Sequence, residues 1–334
     1  MTIKSFLITG SSGFIGKAVC KFLIKNGFKV FGIDKVSSDF SDINFMFFEL
    51  DLLNINPNKL SRIIPKVDYI IHLAAKTDLF GKRLAEYNIN IAGVKVICEY
   101  SEIIKPRKVL FASTQLVNCI GDNPTRIDDY NPDSFYGLSK VLGEQIVRSY
   151  FEKSDINWLI FRPTTVWGPG MSSHYQNFLS LLLKRKYFHI GFKKKEKSFS
   201  YIGNSVNQIF QLCVNEKDFP SDLIIYLCDP FNIEIREWAN DLALGMGAPK
   251  PFTLPYKLCF LLALLNEKFS QLLGIKPPIP LTIRRLKNIT TSYLFESELL
   301  WQNSSITYDY KSAIKNTCSW FMTKKDQNKK TLNY

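Results

Sequence analysis

Short apolar runs alternate with amphipathic stretches over the first 162 residues. Ile3–Thr9, Lys29–Ile33, Asn44–Glu49, Tyr69–Leu73, Lys108–Ala112 and Trp158–Phe161 read as strands. Between most of them apolar residues recur at helical spacing, as in Gly13–Asn26, Leu84–Tyr100 and Phe135–Phe151. Continuous apolar strands are buried on both faces, so the alternation predicts βαβ units. The fold class is α/β, a doubly wound parallel sheet between two helical layers. Beyond Arg162 the regularity breaks. Pro and Gly cluster over Pro163–Gly170 and lysines over Lys193–Lys197, and Asp222–Leu227 reads as a strand that rejoins the sheet. The remainder is mostly helical, with loops around Pro249–Pro255 and Pro277–Pro280. The predicted organisation is a sheet domain of residues 1–170 with 201–229 rejoining it. A smaller, mostly helical C-terminal lobe follows from 171–200 and 230–322, with a flexible basic tail at 323–334.

Composition narrows the class. A chain of 334 residues, 46% hydrophobic and 22% charged, buries a sizeable core and is neither disordered, collagen-like nor coiled coil. The net charge of +13 invites a nucleic-acid or membrane partner. Residues 1–167 carry 21 basic and 17 acidic groups, and residues 168–334 carry 22 and 13, so the excess sits in the second half. No nucleic-acid motif accompanies it, and no nucleic-acid role is expected. Seven scattered cysteines, odd in number, argue against a disulfide framework or thiolate metal site and for a reducing cytoplasm. With only His72, His174 and His189, no metal site is expected. The opening MTIKSFLITG reads as a strand and not as a secretory signal.

Thr9-Gly10-Ser11-Ser12-Gly13-Phe14-Ile15-Gly16 follows the first strand directly and opens the first helix. Glycines in such a turn let the backbone approach a pyrophosphate, and the helix start offers free N–H groups and a positive dipole end. The plain alternative is a connecting turn, but strand before and helix after are the context a dinucleotide site requires. Gly10, Ser12, Gly13, Phe14, Ile15 and Gly16 are therefore candidate cofactor contacts, and the sheet domain is Rossmann-type. Asp34 ends the second strand, where a carboxylate accepts hydrogen bonds from an adenosine ribose and repels a 2′-phosphate. That favours NAD over NADP, with Lys35 softening the preference.

Tyr136 and Lys140 stand four residues apart, on one face of a predicted helix. A neighbouring cation stabilises phenolate, which predicts a Tyr136 that exchanges its proton near neutral pH instead of near about 10. Thr114, just past Lys108–Ala112, adds a hydroxyl at the carboxyl end of the sheet, where doubly wound folds bind ligands.

Thr9–Gly16, Asp34, Asp51-Leu52, His72-Leu73-Ala74-Ala75, Asn90, Ser113-Thr114, Tyr136 with Lys140, and Arg162–Pro169 occur in an order that identifies a resemblance. The chain resembles the extended short-chain dehydrogenase/reductases, especially their NAD-dependent nucleotide-sugar epimerase/dehydratase branch. The similarity covers nearly the whole chain, and Tyr293 to Trp320-Phe321 is similar to the family's closing segment. The resemblance implies a catalytic set: Tyr136 transfers the proton, Lys140 holds the nicotinamide ribose and lowers the Tyr136 pKa, and Thr114 hydrogen-bonds the reacting sugar oxygen. It implies Asp51 and Leu52 at the adenine, Leu73, Ala74 and Ala75 beside the phosphates and ribose, and Pro163 and Thr164 flanking the nicotinamide. Asn90 joins this cofactor-side set as an asparagine that braces the active-site elements; read from residues alone it is a helix-start cap. Pairing through Leu84–Tyr100 and Phe135–Phe151, hence a homodimer, is implied by the resemblance alone.

Departures from the family pattern narrow the reaction. Its dehydratases carry Asp-Glu after the catalytic threonine, its decarboxylases an acid at the Leu116 position, and its nucleotide-fucose synthases a cysteine there. Gln115-Leu116 supplies neither acid nor thiol. What remains is hydride transfer at a hydroxyl-bearing carbon, as 4-epimerisation through a transient ketone or as plain oxidation or reduction, with surface-polysaccharide synthesis in the cytoplasm as the expected setting. Asn118 in place of a tyrosine and Thr165 in place of an asparagine leave a non-epimerase activity open. Thr114, Thr165, Asn177 and Lys197 are the substrate candidates, the last two near family residues that contact the nucleotide diphosphate. Lys193–Lys197 reads equally as a solvated loop, and Arg284 and Arg285 are further cations without a placement. One rival is a hydroxysteroid-type NAD(P)-dependent dehydrogenase; another is a non-catalytic NAD-binding scaffold, against which Thr114, Tyr136 and Lys140 argue. Leu258–Leu265 is the strongest apolar run, well short of the roughly 20 residues that span a bilayer. The cations around it suit an anionic membrane surface, but a buried helix of the small lobe is the favoured reading.

Overall fold

The computed structural model describes residues 4–122, 124, 126–275 and 281–331. Six strands come first along the chain: β1 (Ser5–Thr9), β2 (Lys29–Asp34), β3 (Phe45–Glu49), β4 (Tyr69–His72), β5 (Lys108–Ala112) and β6 (Asn157–Pro163). With Leu223–Leu227 they form a seven-stranded parallel sheet in the order Leu223–Leu227, β6, β5, β4, β1, β2, β3. The sheet is the Rossmann type expected. Strands β1, β4, β5 and β6 are buried almost throughout, as their unbroken apolar runs require. Thr9 lies opposite both Ile33 of β2 and His72 of β4. Strand order reverses between β1 and β4, and at such a switch point the carboxyl ends of the strands open a crevice.

The helices are α1 (Phe14–Lys25), α2 (Pro57–Ile63), α3 (Ile89–Ile104), α4 (Phe135–Phe151), α5 (Ser173–Leu183), α6 (Ile202–Val214), α7 (Ile235–Gly245), α8 (Tyr256–Leu273), α9 (Ile283–Thr290), α10 (Glu298–Asn303) and α11 (Tyr310–Thr331). Leu60 of α2, Ile97 of α3 and Val147 of α4 share one core with Leu7, Ile70 and Val109 of the sheet. Alternation along β1 sends Phe6 to the opposite face, where it meets Phe210 of α6, which also contacts Phe22 of α1. The helix expected over Leu84–Tyr100 begins instead as a 3-10 turn, Leu84–Tyr87, and α3 then runs on to Ile104.

The chain divides into two compact units. The first comprises Met1–Val166, Ser200–Pro230 and Glu296–Thr307; the second comprises Trp167–Phe199, Phe231–Phe295 and Tyr308–Tyr334. Residues 296–307 were expected in the small lobe, yet they join the sheet unit. Ser297 bonds the Tyr226 carbonyl, the Trp301 indole N–H donates to Cys228 O at 2.9 Å, and Asn207 donates to Ser305 O at 2.7 Å. The tail expected to fray from residue 323 is helical as far as Thr331, with Lys324 donating to Gln176 at 2.7 Å. Ile3, the loop at 277–280 and the last three residues of that tail lie outside the described residues.

The second unit is built round Trp238 of α7, which packs against Trp167, Phe178 and Phe199. Asn232–Glu234 pairs antiparallel with the strand Glu196–Tyr201. Helix α11 is tied to α7 by a 2.8 Å hydrogen bond from the Tyr310 hydroxyl to Asp241. Leu258–Leu265 lies in α8, and here the favoured reading fails: α8 buries its small residues and leaves Leu258, Leu261, Leu262 and Leu265 exposed. All seven cysteines are free.

Candidate active site

The turn after β1 is held by its own backbone. Gly10 and Ser11 N–H groups both donate to Ile33 O, at 2.8 and 3.2 Å, and Gly13 N–H donates to Gly10 O at 3.0 Å. Gly10 has a φ of +71°, and a Cβ there would stand 2.7 Å from Ala74 N. A Cβ on Gly16 would stand 2.1 Å from Gly10 O. These two positions thus keep the start of α1 tight against the ends of β1 and β4. Helix α1 has no side-chain cap and no acid in its first turn, so its leading N–H groups face a cradle suited to an anion. Asp34 closes the other side: its carboxylate accepts from Ser12 N–H at 3.0 Å and Val36 N–H at 3.1 Å. Ser12 donates its hydroxyl to Val36 O at 2.8 Å.

Leu73, Ala74 and Ala75 follow β4 and are half-buried. Thr9 Oγ1 accepts from the Leu73 and Ala74 N–H groups, each at 3.2 Å, and lies 2.7 Å from His72 Nδ1. Burial, with Lys140 adding repulsion, takes the His72 pKa down to about 3, so its imidazole is neutral. Asp51 turns on itself, accepting from Leu53 N–H at 3.0 Å and Asn54 at 3.2 Å, and Leu52 enters the core. Thr164 spends its hydroxyl on Leu227 O at 3.0 Å, and Pro163 ends β6. Thr165 opens the short strand Thr165–Trp167.

Asn90 is fully buried, and its amide is fully engaged. It accepts from Lys76 N–H at 2.8 Å and donates to Lys76 O and Ser139 Oγ, both at 2.9 Å. The helix-start reading is corrected, because Asn88 holds the cap position of α3. With both its N–H groups committed, Asn90 is a strut between the β4 loop and α4, in keeping with the bracing role.

Helix α4 starts at Phe135 because Ser134 caps it, accepting from Gly137 N–H at 3.1 Å. Its buried face presents Tyr136, Lys140 and Glu144 at successive turns. Thr114, just beyond β5, hydrogen-bonds the Tyr136 phenol, and Lys140 Nζ donates to Ala112 O at 2.8 Å. The three candidate catalytic groups therefore converge at the carboxyl end of β5. Their electrostatics differ from expectation. Burial pushes the Tyr136 phenol up to about 12, against the Thr114 hydrogen bond, and no contribution from Lys140 offsets it. Burial also takes Lys140 down to about 8, with Glu144 opposing. The expected lowering of the Tyr136 pKa by Lys140 is corrected: the ammonium is turned to the Ala112 carbonyl.

Reading the sequence missed the group beneath the triplet. Arg162 donates to both oxygens of Glu144, at 2.9 and 2.7 Å, to Ile127 O at 2.8 Å and to Tyr226 OH at 3.2 Å. Tyr130 and Ser113 complete the carboxylate's partners. The ion pair is shielded from water; that burial acts to lower the Arg162 pKa, but the Glu144 carboxylate, helped by Tyr226, more than offsets it and holds the pKa above its ordinary value. The available signal was Glu144 recurring one helical turn after Lys140.

In the second unit, Asn177 is exposed on α5. Lys197 is not the solvated loop residue it resembled. It is buried, its ammonium donates to Asn288 Oδ1, and desolvation lowers its pKa to about 8.

Residues 6–204 match the NAD dependent epimerase/dehydratase family. The chain belongs to that family. Among family relatives, it is 26% identical over 180 residues to the 2-alkyl-3-oxoalkanoate reductase of Shewanella oneidensis, covering 50% of this chain and 46% of that protein. This chain thus spans under half the length of that relative. With the UDP-glucose 4-epimerase of Vibrio cholerae it shares 24% identity over 258 residues, 74% of this chain and 77% of the relative. The fold of this family member is similar to a crystal structure of UDP-glucuronic acid 4-epimerase from Bacillus cereus in complex with NAD. The TM-score is 0.72 at 21% identity, over 96% of each chain.

Proposed function

We propose that the chain is an NAD-dependent nucleotide-sugar epimerase, acting at the 4-position of the sugar. The observation that carries this reading is the convergence of Thr114, Tyr136 and Lys140 at the end of β5, in the same unit as the Gly10–Gly16 cradle. The named activities of the Vibrio and Bacillus proteins support it. The cradle fits a dinucleotide, since Gly10 and Gly16 leave the space that a Cβ would fill and α1 offers its uncapped start. Gly10, Ser12, Gly13, Phe14, Ile15 and Gly16 would hold the pyrophosphate, Asp34 the adenosine ribose, Asp51 and Leu52 the adenine side, and Leu73, Ala74, Ala75, Pro163 and Thr164 the rest. Bound there, NAD supplies a reversible hydride acceptor.

Tyr136 exchanges a proton with the sugar oxygen, as phenolate once the positive charges of Lys140 and of bound NAD stand beside it and offset its burial, while Thr114 hydrogen-bonds the phenol and orients the same oxygen. Lys140, anchored on Ala112 O, places its charge beside the ribose. Gln115 and Leu116 supply no acid and base to remove water, which turns the reaction from dehydration to epimerisation. Thr165, Asn177 and Lys197 are the proposed substrate contacts, Lys197 as the cation for a diphosphate. A cytoplasmic enzyme paired through α3 and α4 completes the reading, supported by seven free cysteines. Among the described residues no helix is long and apolar enough to cross a membrane.

The test is a thermal-shift screen of nucleotide sugars of different bases in the presence of NAD, followed by product analysis. The reading expects one nucleotide hexose to raise the melting temperature and to be converted to its 4-epimer. A protein stabilised by sterols instead, with no nucleotide sugar bound, contradicts it.

A further inference from the structure

Helix α8 is folded with its faces reversed. The residues it buries are small or polar: Cys259, Ala263, Asn266 and Ser270, spaced for one helical face. The opposite face carries Leu258, Leu261, Leu262, Leu265, Phe269, Leu272 and Leu273, all exposed, with Leu265 at 54%, Phe269 at 53% and Leu272 at 86%. Phe252 and Ile275 extend the stripe at either end. Eighteen residues make a helix about 27 Å long, so the apolar stripe is far larger than the scattered exposed leucines of an ordinary surface.

The charges around the stripe are of one sign. Lys257 and Lys268 lie along its edge, both exposed. Helix α9, whose Leu286 packs on the buried face of α8, carries Arg284, Arg285 and Lys287 in the same unit. The single acid of α8, Glu267, is turned away to accept from Ile283 N–H at 2.9 Å. The second unit as a whole has 21 Lys and Arg against 7 Asp and Glu. A second copy of this chain would bring the same excess of positive charge to the face. An anionic surface with an apolar interior satisfies both the stripe and its edge.

We propose that α8 lies flat in the interface of an anionic lipid bilayer, with Leu258, Leu262, Leu265, Phe269 and Leu272 in the acyl region and Lys257 and Lys268 at the headgroups. The chain is a peripheral membrane protein held by this helix.

The test is co-sedimentation of the full chain with vesicles of phosphatidylcholine alone or with about one-third phosphatidylglycerol. Binding is expected to the anionic vesicles, about tenfold weaker to the neutral ones, and reduced in about 0.5 M salt, where the Debye length falls to a few Å. Leu265→Glu with Leu272→Glu puts charges on two exposed positions and is expected to cut binding at least about tenfold with an unchanged melting temperature. Lys257→Gln with Lys268→Gln, which leaves the stripe intact, is expected to weaken anionic binding alone. Wild-type protein that stays in the supernatant with anionic vesicles overturns the proposal. So does double-glutamate protein that binds like wild type. A wild-type dimer that Leu265→Glu splits, without vesicle binding, overturns it in favour of a second copy.

Discussion

The two units share one chain but differ in charge and in what they leave exposed. The first holds 22 basic and 23 acidic residues, and its notable polar groups are turned inward: Asn90, Tyr136, Lys140, and the Glu144–Arg162 pair. The second holds 21 basic and 7 acidic residues and turns a leucine-rich face outward. The net +13 of the chain therefore belongs to the second unit, while the proposed catalytic triplet belongs to a unit that is close to neutral. A charge count over the whole chain, or over its two halves, blurs this. The unit boundaries place residues 200–230 and 296–307, which carry one basic and six acidic groups, with the first unit. Charge thus separates the unit of the proposed membrane face from the unit that holds the proposed catalytic triplet.

The sharpest way to break that division is at Tyr136. Tyr136→Phe removes the proton-transferring hydroxyl and is expected to lower turnover about a thousandfold, while the melting-temperature rise on adding NAD is kept. Normal turnover would mean that the reacting group lies elsewhere. Next in size, Glu144→Ala leaves the buried Arg162 charge unpaired. A loss of about 3–5 kcal/mol in urea unfolding is expected, far above the change from an exposed charge such as Lys268→Ala, about 0.5 kcal/mol or less. Equal effects would show that the inward polar network is not structural.

Smaller again, Gly16→Ala drives a methyl group onto Gly10 O. An overpacking cost of about 1–3 kcal/mol is expected, together with loss of NAD-induced stabilisation in calorimetry. The smallest effect lies in the second unit. The Lys197 pKa is lowered to about 8 from 10.5, so its stabilising contribution is full above pH 10.5 and is lost as pH falls through about 8. Lys197→Met is therefore expected to melt a few °C higher than wild type below pH 8, with the gap closing toward pH 10.5. A gap that does not change with pH would show Lys197 to be solvated.

Much of the first unit was legible because its signals are local. Each buried parallel strand is an unbroken apolar run, and the Gly10–Gly16 turn needs only its own residues and its flanking strand and helix. Tyr136 and Lys140 were legible as a pair on one face of α4, but their pKa values were not. Those depend on desolvation by elements distant in sequence, and burial moved Tyr136 opposite to the direction the spacing suggested. Arg162 and Glu144 meet across 18 residues, which no single-segment pattern reports. For α8 the apolar content was plain and its direction was not. Which side of a helix turns inward depends on its neighbours, here Leu281 and Leu286 packing on Cys259 and Ala263. The cue was the row of small residues at Cys259, Ala263, Asn266 and Ser270. For Lys197 it is the solvated-loop alternative that the structure sets aside, since a lysine-rich run implies solvent until Asn288 is found beside it.

In the proposed reaction Tyr136 and its neighbours carry out a reversible hydride transfer that ends in inversion at the 4-carbon. Incubating the NAD-loaded protein with a nucleotide hexose deuterated at that carbon, and following it by NMR, tests the claim directly. A 4-epimer that keeps its deuterium is expected, with no reduced cofactor released. Deuterium recovered in free reduced cofactor, with a stable keto product and no epimer, would contradict it.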